Sequence, residues 1–412
     1  MTTYLELNKN LTPQEESIKK EVHRFAEEVL RPASLELDRI PDPADVIAEG
    51  SLFWDVFKQA YQLGHHIMSL PESLGGAGLT PLGRHIYTEE MAWGACDLAL
   101  GIGVTSFPFH FAIASGNQEI MKDVVMPFVQ DRDARYIGCW AITEPQHGSD
   151  SLLIGTDQFH DKANAFDLQA RLDGDEWVIS GQKSAWVSNG TIATHALTFL
   201  SVDKERGQAG GGVALIPLKS PGVTKGKPLN KLGQRALNQG EIFFDDVRIP
   251  RSYMIIDPNM YHYVIDSVLA GANAFMGASF TGVARAAFEE ALAYSKQRVQ
   301  GGVAISEHQN IQLKLMDMFI KVEAARQLSR AAMVYNQTTS PPATQYSIAS
   351  KVFCTEAAFS VASEAVQVHG GYGLAKEMLV EKLFRDARAS MIEDGTNEVL
   401  SLAAARKIID KY

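Results

Sequence analysis

Two stretches of the chain decide its fold: CWAITEPQHGSD at residues 139–150 and, further along, ISGQKSAWVSNG at residues 179–190. Each has the pattern of a strand that ends in glycine and hydroxyl-bearing residues, which is expected where the backbone must approach a ligand closely. Trp186 stands shortly before Ser188, and an aromatic ring beside a hydroxyl can stack on a planar ring and hydrogen-bond its edge. The simpler alternative is two ordinary strand ends, with Trp186 in the core. The two stretches therefore predict a central β segment with a candidate ring-binding edge.

The strand pattern continues beyond these two stretches. Residues 166–172 and 176–180 flank Asp173-Gly174, a dipeptide typical of a hairpin turn. Further β runs, separated by turns rich in glycine, proline and serine, cover residues 195–202, 212–218 and 241–249. Short strands joined by tight turns predict an antiparallel β domain in the middle of the chain.

Helical patterns occupy the two flanks. The sequence TPQE at residues 12–15 is a capping box with proline at the first helical position. Apolar residues recur at helical spacing through residues 311–322, and a second helical pattern over residues 347–368 runs to a stop at HGG, residues 369–371. No GxGxxG motif follows a strand, so a Rossmann domain is not supported. The order of patterns predicts a helical domain over residues 1–138, a β domain over residues 139–256 and a helical bundle over residues 257–412.

The composition limits the classes of partner. The chain has 412 residues, with 49 acidic and 38 basic side chains and a formal charge of −11. This length suggests two or three domains, and the acidic balance argues against a nucleic-acid or anionic-membrane partner, which needs a positive face. The cysteines, Cys96, Cys139 and Cys354, are far apart and form no Cys/His cluster, which indicates reduced thiols and no metal site. The first ten residues lack a basic region and an apolar region, so we expect no signal peptide and a cytoplasmic location.

Two uncharged stretches raise the question of a membrane span. They cover residues 98–118 and 267–284, and each is long enough to cross a bilayer. Both contain several glycines and polar residues, which lowers their hydrophobicity. We therefore interpret them as helices buried inside the protein rather than as membrane spans.

The motifs TEP-x-x-GSD and GQK-x-x-W-x-[ST]-NG, contained in the two opening stretches, closely resemble those of the acyl-CoA dehydrogenase family. The resemblance covers nearly the whole chain, and further family-like pieces stand in order at residues 71–78, 89–94, 298, 307–309, 367–373, 385–387 and 394–398. It implies an α+β fold with an N-terminal all-α domain, a middle antiparallel β-barrel domain and a C-terminal four-helix bundle. It also implies an FAD-dependent homotetramer, built as a dimer of dimers, that oxidises an acyl-CoA and passes electrons to an electron-transfer flavoprotein.

The resemblance assigns roles to individual residues of this chain. Reduction of a flavin places negative charge on one edge of its ring system, and donors positioned there stabilise that charge. Ser149 would face the pantetheine of the substrate. Arg298 and Gln309 would reach the FAD pyrophosphate of a neighbouring subunit, where a guanidinium suits phosphate. The remaining implied FAD contacts are Trp140, Ile142, Thr143, Trp186 and Ser188 at the flavin, Gln367 and Gly371 at the adenosine, and Thr396 and Glu398 beside the base.

The position of the catalytic base departs from the family pattern. The usual residue before the Gly-Thr pair is glutamate, whereas this chain has Asp394. The implied reaction removes the α-proton of the thioester while a hydride leaves the β-carbon for the flavin N5. Aspartate is one methylene shorter than glutamate, and a misplacement of about 1 Å can cost roughly 10²-fold in rate. The sequence therefore predicts Asp394 as the base, with Glu393 as a second acid–base candidate beside the substrate, and favours a short, branched or cyclic acyl group.

Other interpretations remain open at this point. Asp97, on an N-terminal-domain helix, is a third candidate beside the substrate, because some relatives that perform 1,4-type dehydrogenation of alicyclic acyl-CoAs resemble this arrangement; alternatively it is a solvated helix residue or cap. A flavin oxidase resembling nitroalkane oxidase would also use an aspartate at position 394. A non-catalytic or DNA-associated member of the superfamily is the third alternative. Residues 151–165 are an insertion relative to the family, which either reshapes substrate choice or elaborates the surface.

Overall fold

The structure of the protein is a computed structural model that describes residues 7–8 and 10–411. Residues 1–6 and 9, on which the expectation of no signal peptide partly rests, lie outside the described residues. The predicted capping box is present: the Thr12 Oγ1 accepts from the Glu15 N–H at 3.2 Å, and the Glu15 carboxylate accepts from the Thr12 N–H at 2.9 Å. Pro13 occupies the first helical position, where its missing N–H has no cost. The N-terminal helices are α1 Pro13–Phe25, α2 Arg31–Asp38, α3 Pro43–Val46, α4 Leu52–Gln62, α5 Pro81–Val104, α6 Phe107–Ala114, α7 Gln118–Ile120 and α8 Met126–Gln130.

The middle domain is one eight-stranded sheet within the described residues. Its pairs are mainly antiparallel, but β1 pairs in parallel with β4 over the whole length of β1, because the chain leaves β1, forms the β2–β3 hairpin and returns in the same direction. The hairpin turn is at Gly174, whose φ is +62°. The strands are β1 Gly138–Ala141, β2 Gln169–Asp173, β3 Glu176–Ser188, β4 His195–Ser201, β5 Gly211–Pro217, β6 Val223–Lys225, β7 Gln239–Pro250 and β8 Met254–Ile256, with a short helix α9 Asp157–His160 between β1 and β2.

The C-terminal domain is a helical bundle. Its third long helix ends at His369, and Gly370 follows with a φ of +61°, so the predicted stop lies where the sequence placed it. A short hairpin precedes the second bundle helix. The elements are α10 Tyr261–Gln297, β9 Val299–Gln300, β10 Val303–Ala304, α11 Gln309–Thr338, α12 Thr344–His369, α13 Leu379–Ser390 and α14 Asn397–Lys411. The predicted α+β architecture of helical domain, β domain and helical bundle is confirmed. The sheet departs from a purely antiparallel pattern at β4, which pairs in parallel with β1 and, at Gln169 opposite Ser201, with β2.

Helices α5 and α10 connect the N-terminal domain to the bundle. A Cβ on Gly282 would stand 2.2 Å from the Glu89 carbonyl oxygen, so the two helices approach too closely there for any larger residue. Two stretches, Pro81–Ala114 and Tyr261–Gln297, are long and apolar enough to cross a membrane by length and composition, and 72% of each apolar window is buried inside the protein. Their burial against each other agrees with the interpretation of both as internal helices.

Candidate active site

The first part of the site is the edge where β1 and β3 meet. Trp140 lies directly opposite Ser188 in the β1–β3 pair, so the structure brings together two residues that the sequence predicted for the ring-binding edge. The Trp140 ring is half-buried, and its centroid lies 4.8 Å from that of Phe199. Trp186 is 57% exposed, which excludes its placement in the core. The Gln239 side chain donates to the Ser188 hydroxyl at 3.1 Å and so orients it.

A buried ion pair holds this edge together. The Lys183 ammonium donates to the Glu144 carboxylate at 2.6 Å and to the Ile142 carbonyl at 3.0 Å, and both side chains of the pair are fully buried. Glu144 also accepts from the backbone N–H groups of Asp167 and Leu168. Burial lowers the pKa of Lys183 to about 8, against the opposing effect of Glu144. The pair ties the end of β1 to β3, which positions the backbone beside Ile142 and Thr143.

No motif assigned a role to this pair. Lys183 stands between the polar residues Gln182 and Ser184, so nothing along the chain marks it as buried, although a lysine that becomes buried must find a partner. Within the described residues, Glu144, His147 and Asp167 also bring potential metal-ligating atoms within 4.8 Å of one another. Glu144 is already occupied by Lys183 and two N–H groups, and the His147 Nδ1 is 2.8 Å from the Asp150 carboxylate. This donor set therefore favours an internal hydrogen-bond network over a metal site.

The second part of the site is the turn between α13 and α14, which we call the 391–396 turn. Asp394 has a φ of +53°, a left-handed conformation that aspartate tolerates better than most residues. Gly395 follows with a φ of +98°, and a Cβ there would stand 2.7 Å from a Leu152 methyl carbon. The Thr396 N–H donates to the Ser149 hydroxyl at 3.0 Å. The structure thus brings the predicted base beside the loop that follows β1.

A lysine on the bundle helix α12 donates hydrogen bonds to this turn. The Lys351 ammonium donates to the Gly395 carbonyl at 2.8 Å and to the Asn397 side-chain oxygen at 2.8 Å. Burial lowers the pKa of Lys351 to about 8, and the Asp394 carboxylate is the first of several nearby charges that oppose this shift. Nothing in the motifs pointed to Lys351, because it lies in the middle of α12, far from the turn along the chain.

Two neighbouring carboxyl groups in the turn have altered titration. The Asp394 side chain is exposed, yet the protein packed around the turn raises the pKa of its carboxyl above the usual range, against the Lys351 ammonium. Burial, followed by the Asp394 charge, raises the pKa of Glu393 to about 7. The Gln234 amide donates to the Glu393 carboxylate at 2.7 Å. Elevated pKa values of two adjacent acids are typical of acid–base sites.

The structure overturns the interpretation of Asp97 as a solvated helix residue and does not support a role beside the substrate. The residue is fully buried, so it is not a solvated helix position, and both of its oxygens are occupied. The Ser34 hydroxyl donates to one oxygen at 2.8 Å, and the Lys382 ammonium donates to the other at 3.0 Å. Burial disfavours the charged form, but Lys382 and the hydrogen bonds outweigh it and lower the pKa of Asp97. Asp97 therefore belongs to a structural ion-pair network, which Lys382 extends to Asp386, and its oxygens are not free to accept a substrate proton.

The insertion is anchored rather than loose. Phe159 on α9 is buried in the core, and the Arg406 guanidinium on α14 donates to the Gly155 carbonyl at 2.8 Å. Leu152 packs beside Gly395 in the 391–396 turn. The insertion thus contacts the turn that carries Asp394, although none of its described residues lines the cavity described next.

A mainly apolar cavity of about 350 Å³, which we call the inner cavity, lies between α5, α6 and α10. Trp140 contributes to its wall, so the cavity reaches the β1 edge. Ala99, Ile102 and Phe107 form part of its apolar lining. Among the described lining residues, Arg84 is the one with a permanent charge. A cavity of this size and polarity, with few polar groups, is typical of a small-molecule site.

A second, wider cavity of about 1100 Å³, the outer cleft, lies beside the ends of α10 and α12. Arg298, Gln367 and Gly371 line it, so the structure brings these three predicted residues together. Gln309 is exposed at the start of α11, next to the lining residue Asn310. The described lining of the outer cleft contains no carboxylate. A cleft that lacks carboxylates and contains the Arg298 guanidinium fits a pyrophosphate.

The predicted cofactor residues therefore fall into two groups. One group lies at the β1–β3 edge and the 391–396 turn, where Thr396 is half-buried and Glu398 is exposed on the first turn of α14. The other group lines the outer cleft. The exposed Trp186, the oriented Ser188 hydroxyl and the carboxylate-free outer cleft fit the ring and phosphate portions of a dinucleotide such as FAD.

Comparison with known proteins gives consistent matches over the chain. Three family models match in order: acyl-CoA dehydrogenase N-terminal domain over residues 12–132, middle domain over 139–247 and C-terminal domain over 262–409. The mitochondrial short-chain specific acyl-CoA dehydrogenase of Rattus norvegicus is 32% identical over 94% of this chain and 88% of its own length. The butyryl-CoA dehydrogenase of Megasphaera elsdenii superposes with a TM-score of 0.85 at 28% identity, covering 98% of this chain and 100% of that one. A chain of the structure named "Electron transferring flavoprotein of Acidaminococcus fermentans: Towards a mechanism of flavin-based electron bifurcation" superposes with a TM-score of 0.85 at 27% identity, covering 98% and 100%.

Proposed function

This chain belongs to the acyl-CoA dehydrogenase family of FAD-dependent flavoproteins, and from that premise we propose that it desaturates an acyl-CoA thioester with Asp394 as the base. The observation that carries the proposal is the 391–396 turn. It holds a carboxyl group of raised pKa beside Ser149, on the loop that leaves the β1 edge. No other carboxylate described above combines exposure at the site with a raised pKa.

The role of Asp394 is to accept the α-proton of the thioester. An acid whose pKa is raised toward that of its substrate transfers a proton more effectively, and protein around the turn raises the pKa of Asp394. When bound, FAD supplies the acceptor for the hydride of the β-carbon. The left-handed backbone at Asp394 and the Lys351 bonds to Gly395 and Asn397 fix the backbone of the turn from which the carboxylate extends.

The residues at the β1–β3 edge, the 391–396 turn and the outer cleft would hold the cofactor. We assign Trp140, Ser188 and the exposed Trp186 to the flavin, with Ile142 and Thr143 contributing from the end of β1. Thr396 and Glu398 complete that side. Arg298, Gln309, Gln367 and Gly371 line or border the outer cleft and would hold the pyrophosphate and adenosine of a partner subunit.

The division of these residues into two regions supports an assembly in which each flavin site is completed by a second copy. Helix α11 begins at Gln309, beside the outer cleft, and presents Leu313, Met316 and Ile320 to solvent with 73%, 54% and 53% exposure. These positions share one helix face. An exposed apolar stripe of this kind marks an interface, and we propose that it packs against another copy in a homotetramer.

The acyl group and the electron acceptor are also part of the proposal. Relatives named for short-chain acyl-CoA and butyryl-CoA support a short acyl group, and the short reach of Asp394 agrees with it. The resemblance to the chain from the Acidaminococcus fermentans flavoprotein structure supports an electron-transfer flavoprotein as the acceptor. The 1,4-type reaction through Asp97 is not supported, because both oxygens of that buried residue are occupied.

Anaerobic titration of the holoenzyme with acyl-CoAs tests the assignment of Asp394. Asp394→Asn keeps the shape of the side chain but cannot accept a proton, so we expect flavin bleaching to slow by about 10²–10⁴-fold while FAD content is unchanged. Asp394→Glu, which restores the family residue, is the matched control and should bleach faster than Asp394→Asn.

Two outcomes would contradict the proposal. Bleaching of Asp394→Asn within a few-fold of the wild type would remove Asp394 from the reaction. An absence of bleaching by every acyl-CoA, together with steady hydrogen peroxide formation in air from a small substrate without CoA, would favour an oxidase resembling nitroalkane oxidase.

A further inference from the structure

The inner cavity contains a positive charge that nothing in the reaction above uses. Arg84, in the first turns of α5, lines the cavity together with Ala99, Ile102 and Phe107. Its side chain is half-buried, and its Nε is buried without a hydrogen-bond partner. A guanidinium has five N–H donors, and leaving them unpaired beside an apolar wall is unfavourable.

The contacts of Arg84 within the described chain are few and long. One terminal nitrogen donates to the Ser69 carbonyl at 3.5 Å, a distance at which a hydrogen bond is weak. Burial alone lowers the pKa of Arg84, and no nearby carboxylate opposes that shift. The guanidinium nevertheless stays protonated at neutral pH, because arginine has a very high pKa. Within residues 7–8 and 10–411, the protein therefore supplies a cation without supplying its anion.

The groups around Arg84 are polar but uncharged. The His110 Nε2 is 3.3 Å from the Ser69 hydroxyl, so His110 and Arg84 converge on the same residue. The His65 Nδ1 is 3.2 Å from the Tyr87 hydroxyl on the next turn of α5. Burial lowers the pKa of His65 to about 4 and also lowers the pKa of His110. Both imidazoles are therefore neutral at physiological pH, and neither repels nor neutralises an anion.

We propose that the inner cavity binds acyl groups whose far end carries a carboxylate, and that Arg84 pairs with that carboxylate. The inference rests on the proposed function and names its substrate class: the thioester of a dicarboxylic acid rather than of a simple fatty acid. The apolar wall would accommodate the methylene chain, and the guanidinium would donate two parallel N–H···O bonds to the terminal carboxylate. Ser69 and His110 stand beside it as further hydrogen-bonding groups.

The carboxylate of the substrate also explains why no carboxylate among the described residues pairs with Arg84. A site that must bind an anion loses affinity if an internal carboxylate already occupies the cation. A site built for a purely apolar chain would gain by having an apolar residue here, because the charge would not need to be desolvated. The cavity wall would thus distinguish an acyl chain that ends in a carboxylate from one of similar length that ends in a methyl group.

The test compares two series of thioesters on the holoenzyme. One series contains dicarboxylic acyl-CoAs of increasing chain length, and the other contains straight-chain acyl-CoAs of the same lengths. We expect kcat/KM to favour one dicarboxylic length over its uncharged counterpart by about 10- to 100-fold, the range expected for a hydrogen bond to a charged group.

Three variants connect the preference to Arg84. Arg84→Met should invert it, because the apolar chain gains and the charged chain loses, whereas Arg84→Lys should restore part of it through a single point charge. Arg171→Met, which removes an exposed arginine on β2, is the matched control and should keep the wild-type preference.

The outcomes separate this inference from the proposed function. If straight-chain acyl-CoAs bleach the flavin and no dicarboxylic thioester is preferred, or if Arg84→Met leaves the preference as it was, the inference is wrong and the proposed function stands. If no thioester of either series bleaches the flavin, both are wrong. A structure with the preferred thioester should show its carboxylate within hydrogen-bonding distance of Arg84; a carboxylate located elsewhere would also overturn the inference.

Discussion

Arg84 and Glu89 lie little more than a turn apart on the same helix, and the protein treats their charges in opposite ways. The buried Glu89 carboxylate accepts from Arg285 at 2.7 Å and from Arg326 at 3.0 Å, in a cluster that also contains Glu90. Arg84 has one long bond to a neutral carbonyl. A charge that the chain compensates serves the packing of α5 against the bundle, whereas a charge left uncompensated beside a cavity is available to a ligand.

The largest expected effect comes from breaking the compensated cluster. Glu89→Gln keeps the shape of the side chain but leaves Arg285 and Arg326 buried without a full counter-charge. We expect the free energy of unfolding to fall by about 3–5 kcal/mol. Chemical denaturation of the holoenzyme measures it.

The exposed pair of Glu21 and Arg24 provides the control. The two side chains are 52% and 63% exposed, and Glu21→Gln should change the free energy of unfolding by less than about 0.5 kcal/mol. Equal effects of the two substitutions would contradict the distinction between a compensated cluster and an ordinary surface pair.

A smaller effect is expected in the 391–396 turn, where two acids lie side by side. Folding raises the pKa of Glu393 to about 7, so the folded state holds a proton that the unfolded state releases above its ordinary pKa. Stability from this residue is therefore present at low pH and is lost as the pH rises toward about 7. Glu393→Gln should remove about 1–2 kcal/mol of the pH dependence of the free energy of unfolding. The free energy of unfolding of the variant should therefore change less between pH 5 and pH 8 than that of the wild type. Parallel pH profiles of the two proteins would contradict it.

The smallest expected effect has the opposite sign. Arg84→Met removes a half-buried charge that has no counter-ion in the part of the chain that the structure describes, so the free energy of unfolding without substrate should rise by up to about 1 kcal/mol. Thermal unfolding of Arg84→Met, Glu89→Gln and the wild type, measured side by side, compares the two changes in stability. A loss of stability as large as that of Glu89→Gln would show that Arg84 is part of the structural cluster and not a group held for a ligand.

Much of the fold could be predicted because its signals are local. The capping box at Thr12, the hairpin turn at Gly174 and the stop at Gly370 depend on residues within one turn of each other. The parallel pairing of β1 with β4 could not be predicted in this way. It depends on where the chain returns after the β2–β3 hairpin, and no short pattern encodes that return.

The residues of the candidate site also fall into those that local motifs identified and those that only tertiary contacts revealed. The motifs identified Trp140, Ser188 and Asp394, and the structure places the first two directly opposite each other. They did not identify Lys183, whose partner Glu144 lies on another strand end, or Lys351, which reaches the turn from α12. Asp97 was a candidate only because its burial and its bond to Lys382 are invisible along the chain.

The sequence by itself determined the order of the domains, the helix cap at Thr12, the hairpin turn at Gly174 and the helix stop at Gly370, because each depends on residue type and near neighbours. It did not determine the strand bounds: residues 166–172 were predicted as a strand that the structure begins at Gln169, and the predicted strand 176–180 continues to Ser188. The tertiary structure alone decided which charges are compensated. Burial and the distance to a counter-charge depend on residues brought together from distant parts of the chain. The same structure therefore placed Asp97 in a buried ion-pair network, raised the pKa of Glu393 to about 7, and left Arg84 beside a cavity with no carboxylate partner among the described residues.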